Sequence, residues 1–307
     1  MTISELNERF AMPGALEFDE HDGLPRVQVR LASAEATVYL HGAHVTHWQP
    51  AGAKPVLFLS ERSEFADGKP IRGGVPICFP WFGARSDGHE GPPHGFARLQ
   101  EWELAFAALL PGESGDRMHL TFTLGPSELS RSLGFDEFRV VYEVMVGSTL
   151  TLRLTVANLS GKSLRFEEAL HTYFAVGDVR ETELTGLESA RYLDKPDGMK
   201  EKTAPGEALR FTGETDRVFM TNVAPTMIDD TVNRRRILVE KTHSATTVVW
   251  NPWNEVAAKL RDIADDAWPG FLCVETANAN GDAITLEPGA THAMTASIQI
   301  SPGSDIV

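Results

Sequence analysis

Along much of this chain, apolar residues recur at every second position. Arg26 to Leu31 alternates in this way, as do Arg117 to Leu124, Thr149 to Val156 and His292 to Ile300. Successive side chains on an extended strand point to opposite faces, so this period buries one face and leaves the other to water. Gly147-Ser148, Asn158 to Gly161, Gly281-Asp282 and Glu287-Pro288-Gly289 separate such segments with turn chemistry. Helical periodicity is scarce and confined to roughly Ser4 to Phe10, a short stretch after Ser127, and roughly Asn254 to Ala264. Strands do not alternate with helices, which argues against a parallel α/β architecture, and no GxGxxG or P-loop opens a helix. No linker, low-complexity tract, composition shift or repeat divides the 307 residues. The expectation is all-β: one domain over residues 1–307, a large antiparallel β-sandwich with a few short helices.

Charge and cysteine content narrow the function classes. The net charge is −15 and no Lys/Arg stripe appears, which argues against nucleic acid as a partner. Arg234-Arg235-Arg236 is the one basic run and reads as a solvated turn between strands. A few arginines gathered in one cleft can still bind an anion, because local field outweighs net charge at short range. Cys78 and Cys273 are too few for a disulfide scaffold or a structural zinc site, so reduced thiols are expected. Residues 1–10 have no apolar signal segment, and no run of about 18 apolar residues exists. These features predict a cytoplasmic protein, a monomer, with no membrane partner.

Two short blocks depart from strand patterning. One runs from Arg72-Gly73-Gly74-Val75-Pro76 to Phe82-Gly83, the other is Pro93-His94-Gly95-Phe96-Ala97-Arg98. Glycine admits close backbone approach, proline stiffens the loop, and arginine is the preferred donor fork for carboxylate or phosphate. The pattern predicts a rigid polar pocket for a small oxygen-rich ligand.

Four further segments offer chemistry, each with a plainer structural reading beside it. The stretch Leu164 to Val176 reads as one strand with His171 among charged and aromatic neighbours, either a proton donor or a hydrogen-bonded structural residue. In Phe271 to Asn278, Glu275 shares a face with Phe271 and Cys273, either a desolvated base or a strand-end charge. Asp216 precedes a strand, as a turn former or as an acceptor for sugar hydroxyls. Trp250 and Trp253 flank Asn251 and Pro252, which suits sugar stacking and also helix capping. His41, His44 and His47 lie in strand and turn pattern, which disfavours a metal site. Arginine, histidine, carboxylates and tryptophan on a β scaffold without a cofactor motif suit acid–base chemistry on a carbohydrate.

Taken in order, these residues resemble the aldose 1-epimerase superfamily. They are Arg72 to Pro76, Phe79-Pro80-Trp81-Phe82-Gly83, His94 to Arg98, Ala169 to Phe174, Thr215-Asp216-Arg217 and Val274-Glu275. The RGG-x-P block paired with HGFAR is similar to the hexose-6-phosphate mutarotase branch, and the likeness spans about residues 30 to 300. The resemblance implies a galactose-mutarotase-like sandwich acting without cofactor or metal on a phosphosugar. It implies His171 as catalytic acid and Glu275 as catalytic base. It also implies Arg72 and Arg98 on the phosphorylated sugar, Asp216 on ring hydroxyls, and His94 shaping the site. From the tryptophan pair itself, Trp253 is expected as a further sugar contact. A mutarotase of a free aldose, or a carbohydrate-binding protein on the same fold, are the alternatives.

Overall fold

The computed structural model describes residues 1–112 and 115–303. The alternating segments become antiparallel strands. Phe138–Val146 buries Phe138, Val140, Tyr142, Val144 and Val146 and turns the residues between them outward. Its neighbours Arg117–Leu124 and Thr149–Asn158 belong with it to a nine-stranded sheet that also holds Arg235–Thr242 and Thr291–Pro302. A second, eight-stranded sheet runs in the order Lys200–Thr203, Arg191–Asp194, Thr215–Phe219, Thr246–Asn251, Phe271–Asn278, Glu168–Leu170, Ile77–Cys78, with Tyr173–Ala175 also paired to Phe271–Asn278. A four-stranded meander occupies residues 16–50.

Each large sheet has one apolar face, and each face covers the other. Leu170, Phe174, Val249, Leu272 and Val274 of the eight-stranded sheet join one core with Leu152, Leu154, Ile237, Met294 and Ile298 of the nine-stranded sheet. Each such side chain contributes roughly 1.5–3 kcal/mol on leaving water. Phe271–Asn278 breaks the alternation, with all eight residues buried. Its second face carries Phe271, Cys273, Glu275 and Ala277 and lies beneath loops, so it is shielded without belonging to the main core.

Four expectations need correction. Leu164 to Val176 is not one strand but three: Leu164–Phe166 pairs with Ile284–Leu286, while Glu168–Leu170 and Tyr173–Ala175 pair with Phe271–Asn278. The candidate helix from Asn254 to Ala264 is helical only over Trp253–Ala257. Its remainder is tied down elsewhere: Ser60 Oγ donates to the Asp262 carbonyl at 2.6 Å, and Ile263 is fully buried. Asp216 lies inside the strand Thr215–Phe219 rather than ahead of it. In the basic run, Arg235 is buried, not solvated: it pairs with Asp230 at 3.0 Å and donates to the carbonyls of Lys54, Pro55 and Ala175. Among the described residues, no helix is long and apolar enough to cross a membrane.

One polar bridge crosses between the sheets. Glu168 Oε1 is 3.0 Å from His292 Nε2 and accepts from Asn278 Nδ2 at 2.9 Å. The hydrogen bond to Glu168 raises the His292 pKa above its ordinary 6.5. Folding therefore favours the protonated imidazole. Its contribution is complete below pH 6.5 and is lost as pH rises through the raised folded value. In urea titrations at about pH 5.5 and about pH 8.5, His292→Gln is expected to lack the alkaline loss that this group gives the parent. An unchanged pH dependence in the variant would show that the bridge carries no such linkage.

Candidate active site

Pairing register assembles the site. Across the eight-stranded sheet, Asp216 lies opposite Trp250, Trp250 opposite Cys273, and Cys273 opposite Tyr173. Those four side chains form a row on the face turned away from the other large sheet. On either side of the break at residues 171–172 the register is unchanged, with Leu170 opposite Thr276 and Tyr173 opposite Cys273. No residue is inserted, so His171 stands directly across from Glu275. Residues so placed have Cβ atoms about 5 Å apart on the same face. The result is a contact of 3.3 Å between His171 Nε2 and Glu275 Oε1, with the two residues only 7% and 1% exposed.

The Arg72 block flanks the histidine on its other side. His171 N–H donates to Pro76 O at 3.0 Å and Tyr173 N–H to Gly74 O at 2.9 Å, in line with the pairing of Ala169 and Leu170 to Cys78 and Ile77. Gly74 permits the approach: its φ is +60°, and a Cβ there would lie 2.3 Å from Val45 O. Strained backbone and a clash with main chain that cannot swing away are expected to make Gly74→Ala cost roughly 2–5 kcal/mol. A urea midpoint within error of the parent would contradict this.

Arg72 is already clamped. Its Nε and Nη2 lie 2.9 and 2.8 Å from Asp262 Oδ2, and Nη1 donates to Tyr173 Oη at 2.9 Å. The Tyr173 ring stacks on His171 at 4.9 Å and 14°, so Arg72 is coupled to the imidazole through Tyr173. In the second block His94 and Gly95 both have positive φ, +65° and +75°, which turns the chain so that Gly95 packs against the Phe79 carbonyl. His94 Nδ1 accepts from Gly83 N–H at 3.2 Å and lies 3.3 Å from Cys78 Sγ. Its ring meets His171 edge-on at 5.5 Å. Burial, with Arg98, Lys195 and Arg72 adding to it, pushes the His94 pKa down to about 2, so the ring is neutral. Arg98 Nη2 donates to Pro93 O at 2.9 Å.

Burial dominates the central pair. It drives the His171 pKa well below its ordinary value, aided by the charges of Arg98 and Arg72. It drives the Glu275 carboxyl well up, against the attraction of Lys195. Both shifts favour an uncharged pair that shares one proton. Among the described residues, seven buried side-chain polar atoms have no hydrogen-bond partner, and four of them are Arg98 Nε, His171 Nδ1, Asp216 Oδ1 and Glu275 Oε2. Asp216 Oδ1 does meet Lys195 Nζ at 3.1 Å, at an angle that makes an ion pair but not a hydrogen bond. Leaving a buried polar group unpaired costs about 1–3 kcal/mol, and four such atoms in one region mark a place built for polar ligand atoms.

The fold thus gathers Arg72, His94, Arg98 and Asp216 about His171 and Glu275. Trp253 packs on Trp268 with ring centres 4.3 Å apart and planes tilted by 41°, while Trp250 packs against His171 at 6.1 Å. Asn251 Oδ1 accepts from Trp253 N–H at 2.9 Å, but Pro252 rather than Asn251 occupies the N-cap of Trp253–Ala257, so the capping expectation is off by one residue. His41 and His44 each use Nε2 on a backbone carbonyl, of Lys69 and Gly73. Sequence reasoning did not find Lys195 or Asp262. Lys195 sits in ordinary turn chemistry and Asp262 in a stretch that reads as helix, so neither carried a local signal.

A buried carboxyl–imidazole pair on the outer face of an antiparallel sandwich, rimmed by cations, is equipment for acid–base chemistry on a small polar molecule. A sequence model of the family described as aldose 1-epimerase matches residues 26–299, and the chain belongs to that family. A protein of Escherichia coli (strain K12) named "Putative glucose-6-phosphate 1-epimerase" is 36% identical over 84% of this chain and 85% of its own length. One of the same name from Cenchrus ciliaris is 34% identical over 87% of this chain and 82% of its own. The crystal structure of a "putative mutarotase (YeaD)" from Salmonella typhimurium is 32% identical, with a TM-score of 0.86 over 95% of this chain and 96% of that one. A galactose 1-epimerase from Lactobacillus acidophilus NCFM, 14% identical with a TM-score of 0.69 over 94% of this chain and 99% of its own, shares the fold. Family and relatives support an epimerase of the mutarotase kind acting on a small sugar.

Proposed function

We propose that this chain interconverts the α and β anomers of a hexose 6-phosphate, in the first instance glucose 6-phosphate. Glu275 takes the proton of the C1 hydroxyl and His171 protonates the ring oxygen. The C1–O5 bond opens to the aldehyde, rotation about C1–C2 presents the other carbonyl face, and reclosure with the proton roles reversed gives the other anomer. One acid and one base suffice, and the pair shares a single proton between them. The observation that carries this reading is the set of buried atoms left over in the site: Glu275 Oε2, His171 Nδ1 and Arg98 Nε have no hydrogen-bond partner, and Asp216 Oδ1 has only the Lys195 ammonium beside it. Two are proton-transfer groups, one accepts from hydroxyls, and one donates to an anion.

The phosphate enters through charge. Arg72 and Arg98 both hold the His171 pKa down. A bound 6-phosphate that offsets Arg72 favours protonated His171, the form in which it is the acid, whereas offsetting Arg98 acts on His171 and Glu275 alike. Saturation-transfer NMR on α- and β-glucose 6-phosphate, with and without the protein, tests the reading. Faster exchange between the anomers is expected, and exchange at the uncatalysed rate would overturn it. One observation favours a free aldose instead: the Arg72 fork is engaged by Asp262 and Tyr173. Parallel measurement on glucose separates the two substrates.

A further inference from the structure

Lys195 opens the turn after the strand Arg191–Asp194. Its N–H donates to Asp216 O at 3.0 Å, its Nζ lies 3.1 Å from Asp216 Oδ1, and its ammonium sits 4.9 Å from the centre of the Phe82 ring. Phe82 meets His94 edge-on at 4.9 Å, and His94 in turn meets His171. The turn itself is stiff: Asp197 and Met199 N–H both donate to Asp194 O, and Lys202 bridges Asp194 and Asp197 at 2.7 Å each. The ammonium is therefore held over one wall of the site with a single carboxylate partner.

We propose that Lys195 is a positioning residue of the anomerisation: its ammonium orients the Asp216 carboxylate toward the sugar and sets the charge that Glu275 carries. The proposal rests on the hexose phosphate reaction given above. Glu275 meets His171 at 3.3 Å, and the charged groups that act on it are Lys195, Asp216 and Arg98. The thiols of Cys78 and Cys273 are close enough to feel its charge. Of the charges felt by Glu275, Lys195 contributes the largest attraction, Arg98 a smaller one, and Asp216 a repulsion. Removing the ammonium deletes that attraction, and it also removes what holds the Asp216 carboxyl down against burial, which eases the Asp216 repulsion. The lost attraction is the larger of the two, so the net change makes Glu275 harder to ionise.

The test is the pH dependence of kcat/KM for glucose 6-phosphate in the parent, Lys195→Met, Lys195→Gln and Lys195→Arg, with circular dichroism to verify folding. Lys195→Gln keeps a donor for Asp216 without the charge, and Lys195→Arg keeps the charge. The acidic limb is expected to move up by about one pH unit in the Met and Gln variants, with about a tenfold loss at neutral pH. The Arg variant is expected to keep the limb of the parent. Active Met and Gln variants whose limb has not moved would overturn the proposal while leaving the reaction standing. A parent that exchanges no hexose phosphate anomers would overturn the reaction and this proposal with it. Should Lys195→Met fail to fold, the Gln and Arg variants decide the matter alone.

Discussion

His171→Ala and Glu275→Ala are each expected to lower catalysed anomerisation of glucose 6-phosphate by about 10²–10⁴-fold, the range that positioned acid–base groups contribute. The geometry argues for losses toward the upper end. With Nε2 and Oε1 3.3 Å apart in a buried setting, each group is the natural proton partner of the other. His94, the second imidazole, is neutral and committed through Nδ1 to Gly83 N–H. The double variant is expected to be little worse than either single one, because the pair works as a unit. The fold should survive. Burial of Glu275 opposes its charge, and Oε2 has no partner, so the carboxyl stabilises the fold little where it stands. Glu275→Gln is therefore expected to melt no lower than the parent, as when a strained functional group is relieved. Near-normal exchange rates in both alanine variants, measured by saturation-transfer NMR, would remove the assignment.

Arg98→Ala is expected to weaken kcat/KM for glucose 6-phosphate by about 10–100-fold, the equivalent of one charge-assisted hydrogen bond, and to change free glucose far less. Its Nε is buried without a partner, which is costly unless a ligand oxygen meets it. Burial also lowers the Arg98 pKa, so an anion that arrives beside this guanidinium relieves it. Arg72→Ala is likewise expected to lose more on the 6-phosphate than on glucose, with an added loss common to both sugars. That shared loss follows from Tyr173, whose hydroxyl accepts from Arg72 and whose ring stacks on His171. Steady-state rates on both sugars separate these effects. Equal losses on glucose and glucose 6-phosphate in Arg98→Ala would show that Arg98 does not read phosphate, and would favour the free-aldose reading.

The parts legible in advance share a local cause. Arg117–Leu124 has the bounds that its residue pattern suggests, because alternation and turn residues are written into neighbouring positions. Ser127 starts a short helix for the same reason: its side chain accepts from Ser130 N–H, a bond within one turn. The misread segments each answer to a distant partner. Leu164 to Val176 divides because Leu164–Phe166 pairs with Ile284–Leu286 while its later two pieces, parted by the break at residues 171–172, pair with Phe271–Asn278. Arg235 is buried because carbonyls of Lys54, Pro55 and Ala175 and the carboxylate of Asp230 converge on it. Lys195 and Asp262 come into the site beside Asp216 and Arg72, which are remote in sequence and near in space.

Local periodicity carries the face on which a side chain lies, and here that was enough to imply an antiparallel sandwich and to gather the residue types of an acid–base site. It does not carry the identity of the strand across the ladder. That His171 stands opposite Glu275, that Trp250 and not Trp253 borders the imidazole, and that Lys195 guards Asp216 all follow from register and burial in the folded sheet. A slip of one residue in that register would send His171 to the other face of the sheet, so it is set by non-local pairing over the core rather than by the residues themselves.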